Sequence, residues 1–258
     1  MIKSKRKCLA GFFLVLIVLM VIQILINTQY KERSITADEK KTVAVYYLLN
    51  IDGMKGLGHS ALMFVDGQGN GRLYSYNGMQ YSLGECLIGK EGIGKMMLFE
   101  LDSECVNQFL ENGNLDVPEE SECDNYDRAL YTYISNEEYE TIKEKLAYYI
   151  EVGDTYQQLY VTANNMTGEA QNAAEVVLQE YTFREDIPKY QIYHHNCDVV
   201  AREAIAMVNC EMQAYNEIEE KLFPSANYKN MCRQFGDSWG MIHLGQDTVL
   251  EKILWYIF

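Results

Sequence analysis

The sequence is poor in the residues that usually bind metals or activate nucleophiles. Its 258 residues include only four histidines, His59, His194, His195 and His243, and its seven cysteines form no C-x-x-C pair. His194 and His195 lie close to Cys197 in the chain, but adjacent histidines point to different sides, and no carboxylate or second cysteine follows at ligand spacing. The sequence therefore lacks the common zinc motifs. It predicts no metal or cofactor and leaves few candidates for a general base.

The chain is also poor in positive charge. It has 37 Asp and Glu residues against 22 Lys and Arg, a formal net charge of −15. Four of the basic residues precede position 8, whereas every acidic residue follows position 26, so the body of the protein is even more acidic. A field of this sign repels nucleic acids and anionic lipid surfaces. We therefore expect neither of them among the partners.

One long stretch has no charge at all. Residues 8–26 are nineteen consecutive uncharged residues, enough for a helix to cross a bilayer. A cleaved signal peptide is the alternative, but the run is longer than usual and no small-x-small cleavage site follows it. The dense basic block in residues 1–7 favours a cytoplasmic tail, then a transmembrane signal anchor at 8–26 and a polar tether at 27–41. We expect a single-pass protein of the cell membrane with domain 42–258 outside, where disulfides are permitted.

Hydrophobic patterns in the body predict mainly strands first and helices later. Strands are predicted at 43–49, 59–65, 72–78, 96–101, 131–134 and 156–162, and helices at 135–150 and 168–181. The Gly/Asn/Asp cluster at 66–71 predicts a β-hairpin turn, and Ser135 with Glu138 predicts a capping box. The acidic stretch 102–128 predicts a surface excursion. These patterns together predict an α+β fold built on an antiparallel sheet.

Cys197 is a candidate nucleophile because of its place at the start of a predicted helix, and not only because it is a cysteine. Asn196 has the turn-favouring side chain of an N-cap, and Val200, Ala204 and Val208 recur at helical spacing. The pattern therefore predicts an amphipathic helix that begins at Cys197. A thiol there lies at the positive end of the helix dipole, which favours the nucleophilic thiolate. A structural core cysteine is the alternative.

His59 is the candidate base for this thiol. It follows a glycine-rich turn and opens the predicted hairpin, whereas His194 and His195 are too near Cys197 in sequence to face it easily. A cysteine nucleophile needs a base within hydrogen-bond reach and a third group that orients the base. A helix-borne cysteine that faces a strand-borne histidine is typical of papain-like thiol enzymes.

Two patches resemble the circularly permuted branch of the NlpC/P60 papain-like superfamily. They are residues 58–64 (GHSALMF) with a tyrosine-rich second strand, and residues 193–197 (YHHNC) at the start of a helix. In that branch the histidine strand precedes the Asn-Cys helix. Residues 222–227 (LFPSAN) resemble the proline-containing segment that follows the cysteine helix in some members. The resemblance implies a papain-like domain that acts as a thiol hydrolase or acyltransferase on an amide or ester.

The resemblance also implies roles for individual residues. Cys197 would be the nucleophile and His59 the general base, and the orienting group would lie on the next strand, at Asn77 or Ser75, of which we select Asn77. If the loop between the two hairpin strands has an odd number of residues, Ser75 and Asn77 lie on the His59 face. If it has an even number, Tyr74, Tyr76 and Gly78 lie there instead. Gln191, six residues before Cys197, has the offset of the oxyanion-hole glutamine of papain-family enzymes.

Three hypotheses for function follow. The first is a membrane-anchored thiol hydrolase that cleaves an amide bond, with cell-wall peptides as a candidate substrate; it predicts an open polar cleft at Cys197. The second is an acyltransferase or lipid hydrolase on the same fold, which predicts an apolar groove beside Cys197. The third is a non-catalytic surface binding module, which predicts a thiol that is buried or held in a disulfide.

Overall fold

Eight strands form one antiparallel sheet in the computed structural model, which describes residues 32–53, 57–78, 84–85, 88–92, 94–115, 125–151, 153–163, 174–183, 189–218 and 223–245. The strands are β1 (Val43–Asn50), β2 (His59–Val65), β3 (Gly71–Gly78), β4 (Gly94–Leu101), β5 (Arg128–Ile134), β6 (Gly153–Ala163), β7 (Ala174–Phe183) and β8 (Gly240–His243). Their order across the sheet is β6-β7-β4-β3-β2-β1-β5-β8. The predicted α+β fold class with an antiparallel sheet is confirmed.

Helices cover both faces of this sheet. They are α1 (Ser103–Asn112), α2 (Asn136–Glu151), α3 (Cys197–Ala206), α4 (Cys210–Ile218) and α5 (Pro224–Gln234). Apolar side chains of α2 to α5 form one core with Tyr47, Leu62 and Tyr74 of the sheet. Helix α1 forms a second core on the opposite face with Met63 and Phe99. Because the side chains of a strand alternate between faces, each central strand contributes to both cores.

The β2–β3 hairpin is confirmed, and its loop determines which residues face His59. Five residues, 66–70, connect the strands, and the carboxylate of Asp66 accepts backbone hydrogen bonds from Gln68 and Asn70 at 2.8 and 2.9 Å. Ala61 consequently lies opposite Ser75 in the ladder. Residues two apart on a strand share a face, so His59 lies on the same face as Ser75. The odd loop therefore turns Ser75 toward the candidate base.

The expected surface excursion at 102–128 is wrong at both of its described ends, because α1 lies in the first half and residues 126–128 are buried, with Arg128 as the first residue of β5. Asp102 accepts a hydrogen bond from the backbone N–H of Cys105 at 2.8 Å, and Gly113 ends the helix with a left-handed φ of 76°. The helix buries Cys105, Val106 and Phe109 against the sheet. Acidic residues on the solvent side obscure this short apolar stripe in the sequence.

The predicted helix at 168–181 is also wrong, because β7 occupies residues 174–183. This strand pairs with β4 on one side and β6 on the other. The segment (AEVVLQEYTF) combines a helix-compatible spacing with β-branched and aromatic residues, and the strand edges beside it supply the ladder hydrogen bonds. By contrast, the capping box at the start of α2 is confirmed: the backbone N–H of Glu138 donates to Ser135 Oγ at 3.2 Å, and that of Ser135 donates to Glu138 Oε2 at 2.7 Å.

Part of the predicted tether is fixed to the domain. Arg33 exchanges backbone hydrogen bonds of 3.0 and 2.8 Å with Met241 of β8, and its Nε donates to the Trp239 carbonyl at 2.6 Å. The predicted tail and signal anchor at 1–26 and the apolar run at 249–258 lie outside the described residues. In the part of the chain that the structure does describe, no helix has the length and apolar character needed to cross a membrane.

Candidate active site

Cys197 is the first residue of α3, as the sequence predicts, and its position is held by Asn196. The Asn196 side chain accepts a hydrogen bond from the Val199 N–H at 2.9 Å, which caps the helix. Its amide nitrogen also donates to the Ile192 carbonyl at 2.7 Å, which ties the cap to the preceding turn. The thiol therefore lies at the positive end of a capped helix, packed against the central strands.

His59 and Cys197, which are 138 positions apart in the sequence, meet in the fold. Burial acts to raise the pKa of the Cys197 thiol, and the charge of Asp198 acts in the same direction. The charge of His59, its hydrogen bond to the thiol and a second hydrogen bond from the Ser60 backbone outweigh both, so the pKa lies below its ordinary value of 9.0. This arrangement favours a thiolate–imidazolium pair.

Ser75 is the side chain of β3 that contacts the imidazole. His59 Nε2 lies 2.9 Å from Ser75 Oγ, which leaves Nδ1 as the ring nitrogen for the thiol. The Asn77 amide donates to Ser75 Oγ at 3.2 Å and to the sulfur of Met97 at 3.2 Å. The hydroxyls of Tyr126 and Ser75 are 3.4 Å apart. Ser75 therefore contacts His59 directly, whereas Asn77, the residue selected from the sequence, contacts Ser75.

We expect Ser75→Ala to slow alkylation of Cys197 at pH 6 by up to about tenfold, which corresponds to the net value of one hydrogen bond. Asn77→Ala should have a smaller effect, because it leaves the Ser75 hydroxyl beside His59. The measurement is the iodoacetamide rate constant of Cys197, determined by mass spectrometry of its peptide. A larger loss in Asn77→Ala than in Ser75→Ala would contradict this order of roles.

Gln191, the candidate oxyanion donor, uses its side chain for a structural contact. Its Nε2 donates to the Gly89 carbonyl at 3.0 Å. Its backbone N–H and carbonyl pair with His195 at 2.9 Å each, which forms the tight turn before Cys197. Gln191 thus joins the segment 88–92 to the turn before the thiol, and one of its two amide hydrogens is already used.

A buried polar network lies directly behind the thiol. Asp198 forms an ion pair with Arg202, with 2.9 Å between Oδ2 and Nε, and both side chains are at most 2% exposed. Asp198 also accepts hydrogen bonds from the Tyr47 hydroxyl of β1 and, at 2.6 Å, from the Asn227 amide of α5. Arg202 in turn donates to Asn216 of α4. The network connects the start of α3 to the sheet and to two neighbouring helices.

Sequence reasoning missed this network, although Asp198 and Arg202 have the i,i+4 spacing of a helical ion pair, which was a readable signal. It also missed Tyr126, because residue 126 lies in the stretch that was expected to be a surface excursion. Nothing in the local pattern of that stretch indicates a contact with Ser75.

The surroundings of Cys197 bear on all three hypotheses. The thiol is free and only 2% exposed, and His59 is 6% exposed. The side chains beside the thiol are mainly apolar, among them Leu57, Tyr76, Ile192 and Phe223. Burial is what the binding-module hypothesis expects, the apolar walls are what the lipid-hydrolase hypothesis expects, and an open polar cleft is absent from the described residues around the thiol.

Within the described ranges, no three His, Cys, Asp or Glu side chains lie close enough together to hold a metal ion. Comparison of the chain with protein-family models, with curated proteins and with solved structures gave no match.

Proposed function

We propose that this protein is a thiol hydrolase of permuted NlpC/P60 type that cleaves an amide bond, with Cys197 as nucleophile and His59 as general base. The described residues form no open polar cleft at the thiol, so this reaction requires the walls beside Cys197 to move apart. The observation that carries the proposal is the meeting of a free thiol at a capped helix N-terminus with an imidazole that lowers the pKa of the thiol. A structural core cysteine has no need of such a partner, and perturbed pKa values are typical of functional sites.

The sheet and the helices support the finer fold assignment. The strand that carries His59 precedes the helix that carries Cys197, and α3 packs on the central antiparallel strands. This is the arrangement that the resemblance implies for the permuted papain-like domain. The apolar run at 8–26 would anchor the enzyme in the membrane with its domain outside, and its substrate would be a peptide, with a cell-wall peptide as the candidate.

The reaction would proceed in two stages. The Cys197 thiolate attacks the carbonyl carbon, and the backbone N–H groups of Cys197 and Asp198, which precede the first intrahelical hydrogen bond of α3, would stabilise the oxyanion. Protonated His59 transfers its proton to the leaving nitrogen, so the amide bond breaks and a thioester remains on Cys197. His59 then takes a proton from water, the resulting hydroxide attacks the thioester, and the acid product leaves. Ser75 holds the ring in orientation throughout.

A second candidate keeps the nucleophile and changes the substrate: an acyltransferase or lipid hydrolase that acts on acyl chains. The apolar side chains beside Cys197 favour this alternative. In this reaction an ester or amide of a fatty acid would acylate Cys197, and water or an acceptor alcohol or amine would receive the acyl group.

Both candidates predict a thioester on Cys197. We expect the full-length protein, incubated with p-nitrophenyl acyl esters, to gain the mass of the acyl group and to lose it in hydroxylamine. Cys197→Ala should gain no such mass. Release of free acid would indicate a hydrolase, and transfer to an added amine would indicate a transferase. A wild-type protein that forms no adduct and releases no acid, or an adduct that persists in Cys197→Ala, would overturn the proposed function.

A further inference from the structure

Two small spaces border Cys197, and neither is large enough to admit a substrate. One lies between β2, β3 and α3 and is lined by Leu62, Tyr74, Tyr76, Leu146 and Val200, with a volume of about 10 Å³. The other is lined by Leu57, Tyr190, Ile192, Asn196, Phe223 and Pro224 and is smaller still. A single water molecule needs about 10–15 Å³. A substrate can therefore reach the thiol only if one of these walls moves.

The two walls differ in how firmly they are held. The first space lies within the main core, and all of its lining side chains are buried. The second reaches the surface, because the side chains of Leu57 and Phe223 are partly exposed. A backbone hydrogen bond of 3.4 Å, from the N–H of Ser225 to the Leu57 carbonyl, joins its two sides. This bond is near the upper limit for a hydrogen bond.

A glycine beside Leu57 allows the backbone to approach the start of α5 closely. Gly58 has a left-handed φ of 92°, and a Cβ at this position would lie 2.5 Å from Ser225 Oγ. On the other side, Phe223 is the N-cap residue of α5 and makes no side-chain capping hydrogen bond. Separation of Leu57 from Phe223 would break this one long hydrogen bond and move apart two apolar side chains that line the same space.

The lining of this second space also restricts what can enter. Leu57, Ile192, Phe223 and Pro224 present carbon atoms, and the Asn196 amide is engaged with Val199 and Ile192. A charged or sugar group would lose its hydration here without gaining matching hydrogen bonds. A hydrocarbon group would lose no hydrogen bonds to water on entry. Its carbon atoms would pack against Leu57 and Phe223 once these side chains have moved apart.

We propose that Leu57, Ile192, Phe223 and Pro224 form the entrance to Cys197, named here the Leu57–Phe223 slot, and that the slot binds a hydrocarbon group next to the scissile carbonyl. The proposal rests on Cys197 being the nucleophile, as proposed above, and adds the part of the substrate that is recognised. It expects an acyl chain or a large apolar side chain on the acyl side of the cleaved bond.

The slot is tested by alkylation of the full-length protein in mild detergent with N-methylmaleimide and N-hexylmaleimide. Exposed Cys210 in the same molecule serves as the internal reference. We expect the ratio of the Cys197 rate to the Cys210 rate to rise at least about fivefold with the longer chain, since each buried methylene adds affinity. Leu57→Ala and Phe223→Ala should each raise the ratio for the methyl reagent and abolish the chain-length preference. Ile218→Ala, which truncates an exposed apolar side chain elsewhere, should change neither.

Two buried thiols show whether a variant has unfolded. Cys105 and Cys232 should stay unlabelled in every folded variant; should Phe223→Ala expose them, Phe223→Leu and Leu57→Ala provide the test. The slot is overturned if the Cys197 ratio is independent of chain length, if the slot variants behave like Ile218→Ala, or if no maleimide reaches Cys197. The pH dependence of the Cys197 rate with N-methylmaleimide reports separately on the thiolate. Failure of the slot proposal and failure of the nucleophile proposal therefore give different results.

Discussion

His59→Ala should slow the alkylation of Cys197 at pH 6 by at least about tenfold, because each unit of rise in the pKa of a thiol lowers its thiolate fraction tenfold below that pKa. The substitution removes the positive charge and the hydrogen bond that lower the pKa of the thiol. Burial and the charge of Asp198, which both raise the pKa, are then opposed by the Ser60 backbone hydrogen bond and the positive end of the α3 dipole. The thiolate fraction at a given pH must therefore fall.

The measurement is the rate constant of Cys197 with iodoacetamide from pH 5 to 9. The ratio of the rates at low and high pH separates ionisation from accessibility, since a change in accessibility alters both rates alike. In wild type, the rate should stay high as pH falls below the ordinary thiol range and should drop only at lower pH, as the thiolate is protonated. In His59→Ala, that drop should shift to higher pH.

His194→Ala is the matched control, because His194 is exposed and lies only three positions before Cys197. It should leave the pH profile of the Cys197 rate unchanged. If His59→Ala and His194→Ala have the same profile as wild type, the imidazole does not stabilise the thiolate, and the catalytic roles proposed for His59 and Cys197 are wrong.

Arg202→Met should be the most destabilising substitution at the site, with a loss of about 3–5 kcal/mol in the free energy of unfolding. It leaves the Asp198 carboxylate, which is 1% exposed, without its cation. Hydrogen bonds from Tyr47 and Asn227 remain but do not neutralise the charge. For a domain of this size, the loss corresponds to a fall of roughly 6–20 °C in the midpoint of thermal unfolding.

The control is an ion pair of α3 at the protein surface, between Glu203 and Lys145, with 3.2 Å between the charged atoms. Glu203→Gln should cost at most about 1 kcal/mol, because water screens this pair. The double variant Asp198→Asn with Arg202→Met should recover part of the lost stability, since it removes the unpaired charge. A loss of stability in Arg202→Met no larger than that in Glu203→Gln would show that the network does not hold the start of α3 in place.

The buried network around Asp198 has two opposite effects on the Cys197 thiol. Its anchors on the sheet and on two helices fix the start of α3, yet the charge of Asp198 raises the pKa of the neighbouring thiol. The fold can accommodate this charge because Arg202 neutralises it in part and His59 outweighs the remainder. Asp198 thus helps to hold the Cys197 thiol in place and raises its pKa, whereas the contacts of His59 lower the pKa again.

Features that depend on neighbouring residues can be predicted from the order of the amino acids. Asn196 caps the helix that begins at Cys197, and the capping box of Ser135 and Glu138 starts α2, because these hydrogen bonds span only three residues. The β2–β3 hairpin was equally readable, since its turn residues and the alternation in the strands are local signals. The order of the histidine and cysteine segments likewise follows from the sequence alone.

Which side chains meet depends on how distant segments pack in the folded chain. The five-residue loop after Val65 set the register that brings Ser75 to His59, and the sequence left that loop length open. Residues 174–183 became a strand because β4 and β6 offered ladder partners on both sides. The second small space beside Cys197 is lined by Leu57 and Phe223, which are far apart in the chain. Register, strand pairing and burial all depend on contacts between distant segments. A local sequence pattern does not specify these contacts.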